Sequence, residues 1–322
     1  MQMFPSPYRY STVRTLNPPQ LLLLLAGLSA LALTLMWQRW GGTIEDSLAY
    51  FNTARWLRGE LPFDALQAPF PYRLLVPAVA SVLPGELRNS FALLNWLLVS
   101  AAGVMAALTV VRLGYPRRLG YVAGALMVLA FPTYWYAPYL LVDPGSICAR
   151  AAFVLALVSG QPWLAALAGV VGTTVREENI LLLVWLLAAR QVGWRAGLLA
   201  LALAGAWLLA VRWWFVAGLP SYVWKPSVAQ LMHALSGDWR SLVSLALCAG
   251  VVLPMALAGL LRAPRQLQPL KSLLALMILP PLYAALSVRI EGRVIWGLYP
   301  MLIPFAIAAT VPRFLQPQLP ER

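Results

Sequence analysis

The 322-residue chain is 61% hydrophobic and 11% charged, with a mean hydropathy of +0.73 and a formal net charge of +13. A water-soluble domain is nearer half apolar and a quarter charged, so a soluble fold is excluded and an all-α, polytopic membrane bundle is expected. The basic residues lie scattered between apolar runs, without a continuous basic patch or an aromatic RNA-binding motif, which excludes nucleic acid and favours anionic membrane lipids as their partners.

In chain order, residues 1–20 form a polar, Pro-rich leader carrying Arg9 and Arg14. The apolar run Leu21 to Trp37 is the first predicted span. A cleaved signal segment is the competing reading, because Leu28-Ser29-Ala30-Leu31-Ala32 supplies small residues near a cleavage position. Residues 38–85 make a first large polar connection. Its stretch Glu45 to Leu57 has helical spacing, with Leu48, Phe51, Ala54, Trp56 and Leu57 as the apolar positions. Asp46, Tyr50, Thr53 and Arg55 are the polar positions, of which Asp46, Tyr50 and Thr53 share one face, and such a helix is expected to lie along the membrane surface. A second short helix is expected from about Tyr72 to Leu83. Nine further spans read as 86–111, 120–136, 146–159, 162–175, 179–190, 196–217, 242–261, 271–287 and 294–311, ten in all, with a second larger polar segment at 218–241. Cys148 and Cys248 both fall inside spans, which argues against a disulfide framework.

An even number of spans puts both termini on one side, together with the acid-free connections Arg112 to Arg118, Arg190 to Arg195 and Arg262 to Lys271. Loops of this composition are expected to be cytoplasmic. Ten of the eleven acids then lie on the outer side, and only Glu321 is inside. Carboxylates gathered on one face mark it as the face where chemistry is expected.

One span followed by a loop with an early acid and two surface helices, then by a many-helix bundle, resembles the GT-C superfamily of integral-membrane glycosyltransferases. The residues are Glu45-Asp46-Ser47-Leu48-Ala49-Tyr50, leading to Arg58-Gly59-Glu60-Leu61-Pro62-Phe63, and then Pro71-Tyr72-Arg73-Leu74-Leu75-Val76-Pro77. Val142-Asp143-Pro144, Thr174-Val175-Arg176-Glu177-Glu178-Asn179, and Glu291-Gly292-Arg293 running into Tyr299-Pro300 are also similar. The resemblance implies transfer of a sugar from a polyprenyl-phosphate donor to a lipid, glycan or protein acceptor on the outer face of a bacterial inner membrane. It implies Asp46 as the base, with Glu45 as its rival. Arg73 and Arg293 become candidates for the donor phosphate, because guanidinium groups bind phosphate oxygens two at a time. Tyr50, Arg176 and Glu177 become candidates for positioning substrate, with a local salt bridge as the plain alternative for Arg176. Asp143, ahead of Pro144, reads as a helix cap. His233 is the one histidine and reads as a loop residue. There is no Asp-x-Asp pair after the first span, so a Mg or Mn ion would have to be held by separated carboxylates.

Two other classes stay open. A non-catalytic subunit of a membrane-protein complex could keep the same scaffold. A transporter would place ionisable residues near mid-membrane, and the predicted span centres are almost free of them.

Overall fold

The computed structural model describes residues 15–44, 46–219, 225–236, 238–287 and 291–311, and these residues contain helices and no strands. Helix α1 (Pro18–Met36) starts at a capping box in which Asn17 and Gln20 exchange side-chain to backbone hydrogen bonds, followed by two prolines that need no amide partner. Helix α2 (Ser47–Leu57) follows a short connection, and α3 (Leu75–Val82) ends where the Arg58 guanidinium donates to the carbonyls of Ser81, Leu83 and Gly85. That one side chain satisfies acceptors that the last turn of α3 leaves open.

The long α4 (Leu87–Arg112) is clamped to α1 by the Trp96 indole donating to the Ser29 carbonyl at 2.7 Å. It packs on α5 (Arg117–Val128) through small residues. A Cβ added to Gly124 would come within 3.0 Å of the Gly103 carbonyl, and one on Gly120 within 3.0 Å of the Ala107 carbonyl. Such small-residue contacts let helix backbones approach where apolar lipid supplies no driving force for association.

Helix α6 (Phe131–Trp135) precedes α7 (Asp143–Val158), α8 (Pro162–Val175) and α9 (Ile180–Ala188). Asn95 of α4 donates to the Tyr139 and Leu141 carbonyls and so holds the segment that enters α7. Helix α10 (Trp194–Ala210) runs into a π-helical turn at Val211–Phe215. Then come α11 (Val228–Ser236), α12 (Trp239–Ala249), α13 (Val252–Arg262), α14 (Gln268–Met277), α15 (Leu279–Ser287), α16 (Arg293–Trp296) and α17 (Tyr299–Thr310). Between α12 and α13 the chain bends by 60° at Gly250, whose φ of +48° suits a residue without a Cβ. The Tyr299 hydroxyl donates at 2.8 Å to the Cys248 carbonyl beside this bend, so the broken helix keeps a hydrogen-bonded carbonyl.

Among the described residues four helical stretches are long and apolar enough to cross a bilayer: Pro18–Arg39, Leu87–Arg112, Trp194–Phe215 and Arg265–Ser287. The bent pair α12 and α13 makes a fifth if taken as one span. The chain is an integral membrane protein. The other predicted spans are shorter helices. The segment 120–136 divides at Leu129 and Ala130 before Pro132, and 294–311 divides between α16 and α17. At 1.5 Å per residue the 14-residue α8 reaches about 21 Å, short of a hydrocarbon core of about 30 Å. Apolar runs were long because hydropathy continues through backbone breaks.

The orientation of α2 also departs from the sequence expectation. Tyr50 and Thr53, expected on a solvated face, are buried with Ser47 and Ala54, while Leu48 and Leu57 are exposed. Polar atoms are satisfied on the inward side: the Thr53 hydroxyl donates to the Ala49 carbonyl, and the Tyr50 hydroxyl meets Arg73. The inward face of α2 is thus turned toward charge.

Candidate functional site

Five connections meet at one end of the bundle. They carry Asp46 before α2, Arg73 before α3, Asp143 at the start of α7, Arg176 to Asn179 between α8 and α9, and Glu291 with Arg293 at α16. Arg293 is hydrogen-bonded to the Asp46 carboxylate and donates at 2.6 Å to Glu291. Its other terminal nitrogen lies 3.8 Å from Asp143. Asp143 in turn accepts from Arg176, which also donates at 3.2 Å to Glu178. Glu178 accepts from Arg150 at 2.7 Å. A branch runs alongside: Arg73 donates to both oxygens of Glu177, at 3.0 and 3.3 Å, and at 2.6 Å to the Tyr50 hydroxyl.

The local backbone explains this partition. Arg176 sits extended at φ −146° and ψ 127°, and Glu177 to Asn179 form a 3-10 turn, so consecutive side chains point different ways. Glu177 turns to Arg73 and Glu178 to Arg176 and Arg150. Asn179 holds the turn in place, its amide nitrogen donating at 2.9 Å to both Ser146 and the Gly172 carbonyl while its oxygen accepts from Arg150. Arg150 also donates to the Gly297 carbonyl at 3.0 Å, tying α7 to the link between α16 and α17.

Exposure grades across the cluster. The Arg150 side chain is 2% exposed and that of Asp143 6%, against 29% for Asp46 and 28% for Glu177. The cluster therefore has a dry base at Arg150 and a wet rim at Asp46 and Glu177. Asp143 Oδ2 and Arg176 Nε are buried without a hydrogen-bond partner, which leaves one acceptor and one donor inside it. Among the described residues five carboxylates face four guanidinium groups. No group of three or more His, Cys, Asp or Glu side chains converges as a metal site among the described residues.

These pairings set the protonation states. Burial pushes the Glu178 carboxyl up, but Arg176, Arg150 and Arg73 outweigh it and hold it at about 2. Glu177 is likewise lowered, with Arg73 overcoming its desolvation. Burial raises the Tyr50 hydroxyl despite the nearby Arg73. Because the folded value of Glu178 lies below its ordinary 4.5, its stabilisation is present above about pH 4.5 and is lost as pH falls toward 2. Melting of the purified protein followed from pH 6 to pH 3 should show wild type losing on the order of 2 kcal/mol more than Glu178→Gln over that interval. Parallel curves would mean that Glu178 is not held ionised by the cluster.

The structure brings together Asp46, Tyr50, Arg73, Arg176, Glu177 and Arg293. Glu45 lies outside the described residues, as does the side chain of His233. Arg73 and Arg293 are each paired with carboxylates within the protein. Asp143 makes no cap hydrogen bond; it is the first residue of α7, and its carboxylate serves Arg176 instead. Arg150, Glu178, Asn179 and Glu291 complete the network and were not among the sequence candidates. A signal for Arg150 was present, since Asp143 and Arg150 are seven residues apart and so share a helix face. Comparison with protein-family models, curated proteins and solved structures returns no match.

Proposed function

We propose that the protein is a GT-C-like glycosyltransferase of a bacterial inner membrane, with about ten membrane-embedded segments and both termini cytoplasmic. In this reading it passes a sugar from a polyprenyl-phosphate donor to a lipid, glycan or protein acceptor at the end where the ionic cluster lies. The observation that supports it is the meeting of Asp46 with Arg293, Asp143 and Arg176, drawn from connections far apart in sequence. Asp46, at the wet rim, is the base that takes the acceptor hydroxyl proton. The donor phosphate competes with carboxylates for Arg293 and Arg73, and its arrival on Arg293 frees Asp46 for the acceptor. The exposed Leu48 and Leu57 of α2 give the donor tail an apolar surface beside that rim.

A second reading is a non-catalytic subunit of a membrane-protein complex. It is favoured by the same network, because each guanidinium of the cluster already faces a carboxylate and the arrangement could act purely as a lock between connections.

Mass spectra of glycolipids and glycoproteins from cells expressing wild type, Asp46→Asn or no protein separate the two. A general base contributes about 10²- to 10⁴-fold to rate, so Asp46→Asn at matched expression and melting temperature should lose the product as the null strain does. If Asp46→Asn keeps the wild-type spectrum while the null strain changes, Asp46 is not the base and the subunit reading stands.

A further inference from the structure

A second feature lies away from the cluster. An apolar groove of about 620 Å³ runs between α3, α4, α7 and α8, within the size range of about 300–1,000 Å³ usual for small-ligand sites. Leu75 and Val79 of α3, Leu98 and Leu108 of α4, and Ala152 of α7 represent its walls. Along α4 it extends from Leu94 to Arg112, about 27 Å at 1.5 Å per residue, close to the thickness of a hydrocarbon core. One end lies beside the ionic cluster, at Gly145 and Val175. The other opens at Arg112, Ser159 and Gln161.

The two ends differ in charge. At the cluster end carboxylates outnumber guanidinium groups among the described residues, and each described arginine of the cluster is paired. A further anion is repelled from that mouth unless it displaces a carboxylate. At the far end Arg112 is the one charged residue lining the groove, and it has no hydrogen bond or ion pair among the described residues. The connection that follows it is free of acids and leads to Arg117 and Arg118, both exposed at the start of α5. Helix α8 begins at Pro162 between the lining residues Gln161 and Leu164, so the positive end of its dipole lies at the same mouth. A wall of hydrocarbon with an unpaired guanidinium at its rim matches one molecule type: a lipid with an aliphatic tail and an anionic headgroup.

We propose that this groove is a binding site for one anionic glycerophospholipid, its phosphate at Arg112 and one acyl chain between α4 and α7. The site does not depend on the transferase reading, since it uses neither Asp46 nor any arginine of the cluster.

Native mass spectrometry of the full chain in detergent, with dioleoylphosphatidylglycerol and dioleoylphosphatidylcholine added in equal amounts, tests it. Wild type retains one phosphatidylglycerol with about tenfold preference, as expected for one charge-assisted contact at a partly buried site. Arg112→Gln levels the two lipids, and it melts with wild type because Arg112 has no partner to lose among the described residues. Arg112→Lys keeps part of the preference. Ala152→Phe, which fills the groove from α7, lowers retention of both lipids. Equal retention by wild type, a preference that survives Arg112→Gln, or full retention by Ala152→Phe would each overturn the site. Loss of the preference in Arg117→Gln to the same degree as in Arg112→Gln would assign it to general surface charge and overturn it as well.

Discussion

Replacing Arg150 with Met should cost about 3–5 kcal/mol, the usual penalty for removing one member of a buried ion pair, and lower the melting temperature by roughly 5–10 °C. The guanidinium is almost fully buried. Its three nitrogens serve Asn179, Glu178 and the Gly297 carbonyl, so one substitution removes a donor from three acceptors at once. Methionine fills much the same volume, which confines the loss to electrostatics and hydrogen bonding. The double variant Arg150→Met with Glu178→Gln removes the carboxylate left with Arg176 alone and should recover at least about 1 kcal/mol relative to additivity. A single variant that melts with wild type would mean that the dry base of the cluster is hydrated in the membrane. That outcome would also remove the reason to treat the cluster as one unit.

Gly259→Ala should be worse tolerated than its single added carbon suggests. Helix α13 crosses α17 so closely that a Cβ on Gly259 would lie 1.9 Å from the Phe305 carbonyl oxygen and 2.6 Å from its carbonyl carbon. Those are backbone atoms and cannot rotate away, so the two helices must move apart. Overpacking costs about 1–3 kcal/mol where side chains can shift, and the rigid backbone here puts the expected loss at about 3 kcal/mol or more. Gly205 in α10 is the control, because an added Cβ there meets no atom within 4 Å. Gly205→Ala should be neutral or stabilising by up to about 1 kcal/mol, through better helix propensity and a less flexible unfolded chain. Thermal melts of the two variants in one detergent decide the matter. Equal melting points would show that α13 and α17 can separate without loss.

The same two cases mark how far the sequence could be read. Membrane residence, helical class and the cluster's candidate acids follow from local properties. Hydropathy summed over a window reports burial in lipid whatever the tertiary arrangement, and Asp46, Arg73, Arg176, Glu177 and Arg293 stood out as charges in an apolar chain. Helix number and length did not follow, because an apolar run continues through Pro132 or Gly250 while the backbone hydrogen bonds do not. Nor did the facing of α2: helical spacing separated Tyr50 and Thr53 from Leu48, but only the tertiary structure decided that the polar side is the buried one. That inversion has a physical cause, since Arg73 and Glu177 supply an interior with charge that a polar face can satisfy. Pairing was the least legible of all. Glu177 and Glu178 are adjacent in sequence yet serve different arginines, and Arg293 meets an Asp46 that lies 247 residues away. Charge type is local and can be read along the chain, whereas the partner of each charge is decided by which connections the bundle gathers at one end.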